Sequence, residues 1–201
     1  MKKLIPLIII ISAFVGGIFL WQKYQHPERI NKISDYKNRQ QSFEVHNSDV
    51  NFMKRQAVCN LPGKNGYEII DSSAVIFEHA FPFEWVDDRG GIHETITDLS
   101  VKICIIEESY KTLANYFFEA PENVEVKISG HSGLKVMMGA EGMGADVYYF
   151  ELDNDISLAV VHSYVTPFYD QRLSTEVHYL PIKQQQEILD QIVNDVLQEL
   201  Q

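Results

Sequence analysis

Residues 4–21 carry no ionisable side chain over 18 consecutive positions, LIPLIIIISAFVGGIFLW. A helix rises about 1.5 Å per residue, so this run measures about 27 Å, close to the roughly 30 Å of bilayer hydrocarbon. We therefore predict a single-pass transmembrane anchor over 4–21, with a short N-terminal tail at 1–3. The lipid bilayer is the first predicted partner of the chain.

A cleaved signal peptide is the alternative reading of this run, because Lys2 and Lys3 precede it as a positive n-region would. The run is longer than the usual 7–15 apolar residues of a signal peptide. No small-x-small cleavage pattern separates it from the polar residues 22–25. These features favour an uncleaved signal-anchor.

The flanking charges give two opposing indications of orientation. Lys2 and Lys3 favour a cytoplasmic N-terminus, whereas five Lys and Arg residues between 22 and 39 favour the reverse. A long domain that follows an anchor translocates largely regardless of its charge. We therefore expect a cytoplasmic-membrane protein whose C-terminal domain lies outside the cytoplasm.

Charge divides the rest of the chain into a stalk and a domain. Residues 22–39 have five Lys/Arg against two Asp/Glu, a balance of +3, whereas 40–201 have 10 against 26, a balance of −16. We predict a polar, basic-to-mixed stalk at 22–50 and one soluble acidic domain at 51–201. A domain this acidic repels phosphate backbones, which argues against a nucleic-acid partner.

Alternating apolar residues predict a long β-hairpin in the first half of the domain. The first strand has period-2 spacing from residue 75 to residue 86, and the second runs to Ile106. The turn sequence DDRGG at 87–91 separates them. The residues on one side of the first strand are Val75, Phe77, His79, Phe81, Phe83 and Trp85.

The second half of the domain predicts a helix, a meander and a final helix. Acidic residues at 107–108 open an internal helix, and four alternating segments follow between 124 and 164. An apolar stripe at helical spacing extends from about Lys183 to Leu200. We predict an α+β fold, in which an amphipathic C-terminal helix and one internal helix cover an antiparallel sheet.

Two cysteines, Cys59 and Cys104, lie 45 positions apart. Two cysteines at this spacing do not predict a zinc site. In an oxidising compartment they would form a disulfide, and otherwise they would be two separate buried thiols. Both alternatives remain open from the sequence.

The order of these elements resembles the PsbP-like α/β/α sandwich of extracytoplasmic proteins. The resemblance covers about 58–200 and includes the turn GAEGMG at 139–144, the strand start VYYF at 147–150 and the terminal amphipathic helix. It implies a non-catalytic binding or assembly module. It assigns no functional residue to this chain.

No motif in the sequence predicts a cofactor, a metal site or a catalytic residue. The glycine-rich stretch at 139–144 is not a phosphate-binding loop, and Asp153–Asp155 lacks the remaining ligands of a calcium loop, so both predict turns. The histidines keep an enzymatic alternative open. In it, a tethered hydrolase or metal-dependent enzyme would use His79, His93 or His162 with nearby acids.

The aromatic row supplies the candidate binding residues. Phe77, Phe81 and Trp85 would form a platform for a protein or glycan ligand if they were exposed, and a core face if they were covered. We expect a membrane-anchored, extracytoplasmic, non-catalytic binding or assembly module.

Overall fold

The computed structural model describes residues 28–46, 50–62, 69–86, 89–115, 124–128, 130–140, 143–165 and 180–200. The chain divides into two compact units, Met1–Tyr36 and Lys37–Gln201. The second unit begins inside the segment predicted as a stalk, so the end of that segment belongs to the same unit as the sheet. The predicted anchor at 4–21 lies outside the described residues, and none of the described helices is long and apolar enough to cross a membrane.

Seven strands of the described chain form one antiparallel sheet. They are β1 (Met53–Pro62), β2 (Ile69–Val86), β3 (Ile92–Ile106), β4 (Val124–Ile128), β5 (His131–Ala140), β6 (Met143–Asp153) and β7 (Ile156–Val165). Their order across the sheet is β1-β2-β3-β7-β6-β5-β4. The first three strands and the last four are therefore two meanders, which meet where β3 pairs with β7.

Three helices are described. They are α1 (28–42), α2 (Tyr110–Ala114) and α3 (Ile182–Leu200). One side of α3 is buried along its length, because its apolar residues recur every three or four positions. The buried residues of α3 are Gln185, Ile188, Leu189, Ile192, Val193, Val196, Leu197 and Leu200. Burying each of the apolar side chains contributes roughly 1.5–3 kcal/mol.

Helix α3 and the segment 37–43 lie on the face of the sheet that holds Phe77 and Tyr148, which we call the helical face. The rings of Phe43 and Phe77 meet edge to face with centroids 5.7 Å apart. In α3, the side-chain amide of Gln186 donates to the hydroxyl of Tyr148 in β6 at 3.3 Å. The amide of Gln40 donates to the carbonyl oxygens of residues 73 and 103. These contacts join α3 and residues 40–43 to the sheet.

The opposite face contains a disulfide between Cys59 and Cys104, and we call it the disulfide face. The two cysteines are fully buried, and their Cα atoms lie 5.9 Å apart. They join β1 to β3, the two strands that flank β2. Leu113 of α2 packs into the same cluster of buried side chains. For cysteines 45 positions apart, the chain-entropy model gives about 4 kcal/mol of stabilisation.

One glycine is required by close packing between two strands. Gly133 of β5 lies opposite Phe150 of β6. A Cβ atom at residue 133 would collide with the Tyr149 carbonyl oxygen and the Phe150 ring. Glycine at this position therefore lets the aromatic ring lie against the backbone of the neighbouring strand.

The predicted α+β class is confirmed, with its antiparallel sheet, its C-terminal helix and an internal helix. The long hairpin and the four-stranded meander also form as the alternation predicts. Strand β1 is absent from the sequence-based prediction, although Ala57, Cys59 and Leu61 alternate on its inner side. The internal helix α2 follows the acidic residues 107–108 and begins at Tyr110, and residues 116–123 lie outside the described part of the chain.

Candidate functional site

A β-bulge interrupts the β2–β3 hairpin at Asp98. His79 lies opposite Leu99, and the next pair is Ala80 with Thr97, so Asp98 is an extra residue in β3. A bulge places two consecutive residues on one side of a strand, which ordinary alternation does not allow. Asp98 and Leu99 are accordingly both fully buried. The bulge thus places a carboxylate inside the domain.

The buried carboxylate of Asp98 binds two groups. One oxygen lies 2.6 Å from Nδ1 of His79, whose side chain is 23% exposed. The other oxygen accepts the backbone N–H of Leu180 at 2.9 Å. A carboxylate only accepts hydrogen bonds, so Nδ1 of His79 carries the proton. We call this arrangement the Asp98 clamp, because it holds β2, β3 and the residues just before α3 together.

Beyond the clamp, the hairpin extends as a two-stranded ribbon. The last pair of β1 with β2 on this side is Met53 with Glu78, and the last pair of β3 with β7 is Leu99 with Tyr164. Within the described chain, residues 80–86 and 92–97 therefore pair only with each other. We call these residues the β2–β3 arm. An isolated two-stranded hairpin has only marginal stability of its own in water.

A second irregularity lies inside the arm. Pro82 pairs with Thr95 and Trp85 with His93, so two residues of β2 oppose the single residue Glu94. The period-2 spacing on which the predicted aromatic row depends is therefore interrupted between residues 82 and 85. The arm ends with Val86 opposite Ile92, and these side chains are 62% and 69% exposed. An exposed apolar pair thus marks the tip of the arm.

The three predicted binding residues occupy different parts of the hairpin. Phe77 is 1% exposed and lies in the core of the helical face, so it is part of the packing there. Phe81 and Trp85 belong to the arm by their backbone pairing, but their side chains lie outside the described part of the structure. A binding role for these two residues stays a prediction.

A partly buried ion pair joins β5 and β6 on the helical face. Nζ of Lys135 lies 2.7 Å from the Asp146 carboxylate and 5.2 Å from the centre of the Tyr148 ring. Burial acts to lower the pKa of Lys135, but the hydrogen bond to Asp146 and the interactions with Tyr148 outweigh it, and the pKa is raised. Lys135 is therefore held as a cation at a partly buried position.

His162 lies opposite Asp146 in the adjacent strand β7 and is 4% exposed. Burial lowers its pKa to about 4, although the negative charge of Asp146 opposes this shift and Lys135 adds to it. Asp146 is already paired with Lys135, so burial decides the outcome. The imidazole is neutral at physiological pH, deep in the sheet.

The histidines named by the sequence do not gather at one place. His79 lies at the Asp98 clamp and His162 lies beside Asp146, with β3 between their strands. His93 pairs with Trp85 in the arm. Among the described residues, no group of three or more His, Cys, Asp and Glu side chains is placed to hold a metal ion.

Two grooves of the described surface flank α3. One has a volume of about 490 Å³ and includes Glu44, Asp195 and Glu199 in its lining. The other, of about 480 Å³, includes Glu187 and Asp190. Neither groove includes the histidines of the two buried clusters, so these polar clusters lie apart from both cavities.

Sequence reasoning missed both buried carboxylates. Asp146 was detectable, because it alternates with Tyr148 and Phe150 and so falls on a buried face. Asp98 was not detectable in this way, because only the bulge turns it inward. The spacing of Asp98 from Leu99 alone would place it on the opposite side of the strand.

We predict that Asp98→Ala lowers the free energy of unfolding by about 2–3 kcal/mol, because it removes both acceptors and leaves the Leu180 N–H buried without one. Asp98→Asn keeps one acceptor oxygen, so its free energy of unfolding should fall by less than that of Asp98→Ala. Urea unfolding measures the change, and hydrogen exchange at the start of α3 should accelerate in the alanine variant. Glu151→Ala, at an exposed position of β6, is the control; equal effects at 151 and 98 would contradict the clamp.

We predict that acid destabilises the domain through His162. Its pKa falls from 6.5 to about 4 on folding, so between these pH values the unfolded chain binds a proton that the folded chain does not. Stability is therefore lost as pH falls through this window, by about 3 kcal/mol for this group. Denaturation at pH 7 and pH 4 should show a smaller loss in His162→Phe than in the unaltered chain. His46→Gln, at an exposed position, should keep the original difference.

Comparison with known proteins assigns this chain to no family. No protein-family model matches the chain, and no curated protein matches it either. The Asp98 clamp and the β2–β3 arm are therefore the features of the structure that bear on function.

Proposed function

We propose that this chain is a non-catalytic binding or assembly module, anchored in the cytoplasmic membrane by residues 4–21, with its folded domain outside the cytoplasm. The β2–β3 arm is the contact element in this proposal. We also propose the resemblance to the PsbP-like sandwich, which implies a non-catalytic binding or assembly module.

The observation that carries the binding function is the exposed apolar tip of the arm. Val86 and Ile92 face each other on a ribbon that no other described strand extends. Covering such a pair with a partner removes apolar surface from water and supports a hairpin that is marginal alone. The Asp98 clamp fixes the base of the ribbon, so the arm is held in one direction before it binds.

The disulfide supports the extracytoplasmic location. Disulfides form and persist in oxidising compartments and are rare where glutathione and thioredoxin keep thiols reduced. The Cys59–Cys104 bond is completely buried and ties two strands that are not neighbours. Such a bond is part of the structure of the domain rather than an accessible redox couple.

The enzymatic alternative is supported by one observation, the His79–Asp98 pair. A histidine oriented by a buried carboxylate is the arrangement that prepares a general base in hydrolases. Here the same carboxylate also binds the Leu180 N–H, and this structural role accounts for its burial. The exposure of the apolar pair Val86 and Ile92 is not explained by a structural role of this kind. It therefore favours the binding module.

Site-specific photo-crosslinking tests the binding function in the full-length chain, in the cells that produce it. A photoreactive residue at Ile92 should give protein adducts. Ile182 is the matched control, because it is the same residue type and is 70% exposed, against 69% for Ile92. Adducts at both positions alike, or at neither, would contradict a binding function of the arm.

Thiol labelling tests the location. Cys59 and Cys104 are buried and bonded to each other, so a reporter cysteine is needed; Asn154 lies in an exposed turn between β6 and β7. We expect Asn154→Cys to react with a membrane-impermeant maleimide in intact cells. A cysteine inserted between Met1 and Lys2 should react only after lysis. The opposite pattern would place the domain in the cytoplasm.

A further inference from the structure

The arm carries negative charge next to its apolar tip. Glu84 and Glu94 are both exposed, and the irregularity between Pro82 and Trp85 places Phe83 and Glu84 together opposite Glu94. The sequence of the turn adds Asp87 and Asp88, and Arg89 is the single Lys or Arg between positions 80 and 97.

This charge pattern opposes the stability of the arm by itself. Like charges directly across two strands destabilise their pairing. Nothing in the sheet requires carboxylates at these positions, because both side chains point to solvent and belong to strands that only pair with each other here. A cationic group placed between Glu84 and Glu94 would remove this repulsion.

The apolar pair and the acidic pair lie in adjacent sections of the ribbon. Val86 and Ile92 form the last pair, and only the Trp85–His93 pair separates them from the two glutamates. Extending the proposed function, we infer that the arm binds a protein partner whose surface presents Lys or Arg side chains around an apolar recess. The recess covers the tip, and its basic rim meets Glu84 and Glu94.

Charge argues against the other two occupants of the arm. A second copy of this chain would bring a second domain of charge −16, counted over residues 40–201 from 10 Lys/Arg and 26 Asp/Glu, and a second pair of glutamates. An anionic lipid surface would repel the same glutamates. A basic protein surface is the occupant that complements both features of the arm.

The test adds charge reversal to the crosslinker at Ile92 in the full-length chain. We expect Glu84→Lys combined with Glu94→Lys to reduce the protein adduct at least about tenfold, because each reversal replaces attraction by repulsion. The altered arm again has like charges on its two strands, so the repulsion between the strands is similar to that in the unaltered chain.

The matched control reverses two exposed glutamates outside the arm. Glu125 of β4 and Glu151 of β6 are both exposed, and Glu125→Lys with Glu151→Lys changes the net charge by the same amount. The adduct should persist in this control. Equal losses in the two double variants would mean that net charge alone matters and would overturn the inference.

Mass spectrometry of the adduct identifies the occupant. A crosslinked partner peptide that contains or borders Lys or Arg, together with a loss confined to the arm variant, supports the inference. An adduct joining differently tagged copies of this chain, or an adduct with lipid, overturns it. A protein adduct that survives reversal at Glu84 and Glu94 also overturns the inference of a basic partner, but it leaves the binding function intact. Failure of the binding function would appear differently, as equal adduct formation at Ile92 and Ile182.

Discussion

The β-bulge at Asp98 is the constraint on which both the arm and the start of α3 depend. One extra residue in β3 turns a carboxylate into the interior, where a charge without partners would be strongly unfavourable. His79 supplies one donor and the backbone of Leu180 supplies the other. The same side chain therefore fixes the base of the arm and the point at which the chain reaches α3, although these segments are 82 positions apart in sequence.

The helical face contains another polar cluster, in which the negative charge of the carboxylate is neutralised by a lysine. Lys135 and Asp146 neutralise each other in a pair 2.7 Å long, and Lys135 remains charged despite partial burial. His162 lies opposite Asp146, whose carboxylate is paired with Lys135, and burial lowers the pKa of His162 so that its imidazole stays neutral. Protonation of His162 would place a charge in a buried site and add a second cation beside Lys135, so the cluster is sensitive to acid.

Periodicity predicted the parts of the fold in which every residue follows one pattern. The meander from β4 to β7 and the stripe of α3 are of this kind, because Val160 or Ile192 can be assigned to a buried side from spacing alone. The two shifts in the β2–β3 ladder break that rule. Each depends on a one-residue difference between two strands, which is a property of their pairing and not of either sequence. The row from Phe77 to Trp85 appeared continuous for this reason, and the Asp98 clamp escaped prediction.

The disulfide and the clamp restrain the same strand at two points, Cys104 and Asp98. Cys104 ties β3 to β1 near its C-terminal end, while Asp98 ties it to β2 and to the residues before α3. Between them, β3 is paired with β7 and fully covered at Leu99, Val101 and Ile103. Only residues 92–97 continue beyond the second restraint. A partner that binds the arm would therefore order a short ribbon on a rigid support, and the smaller conformational entropy lost on binding favours the complex.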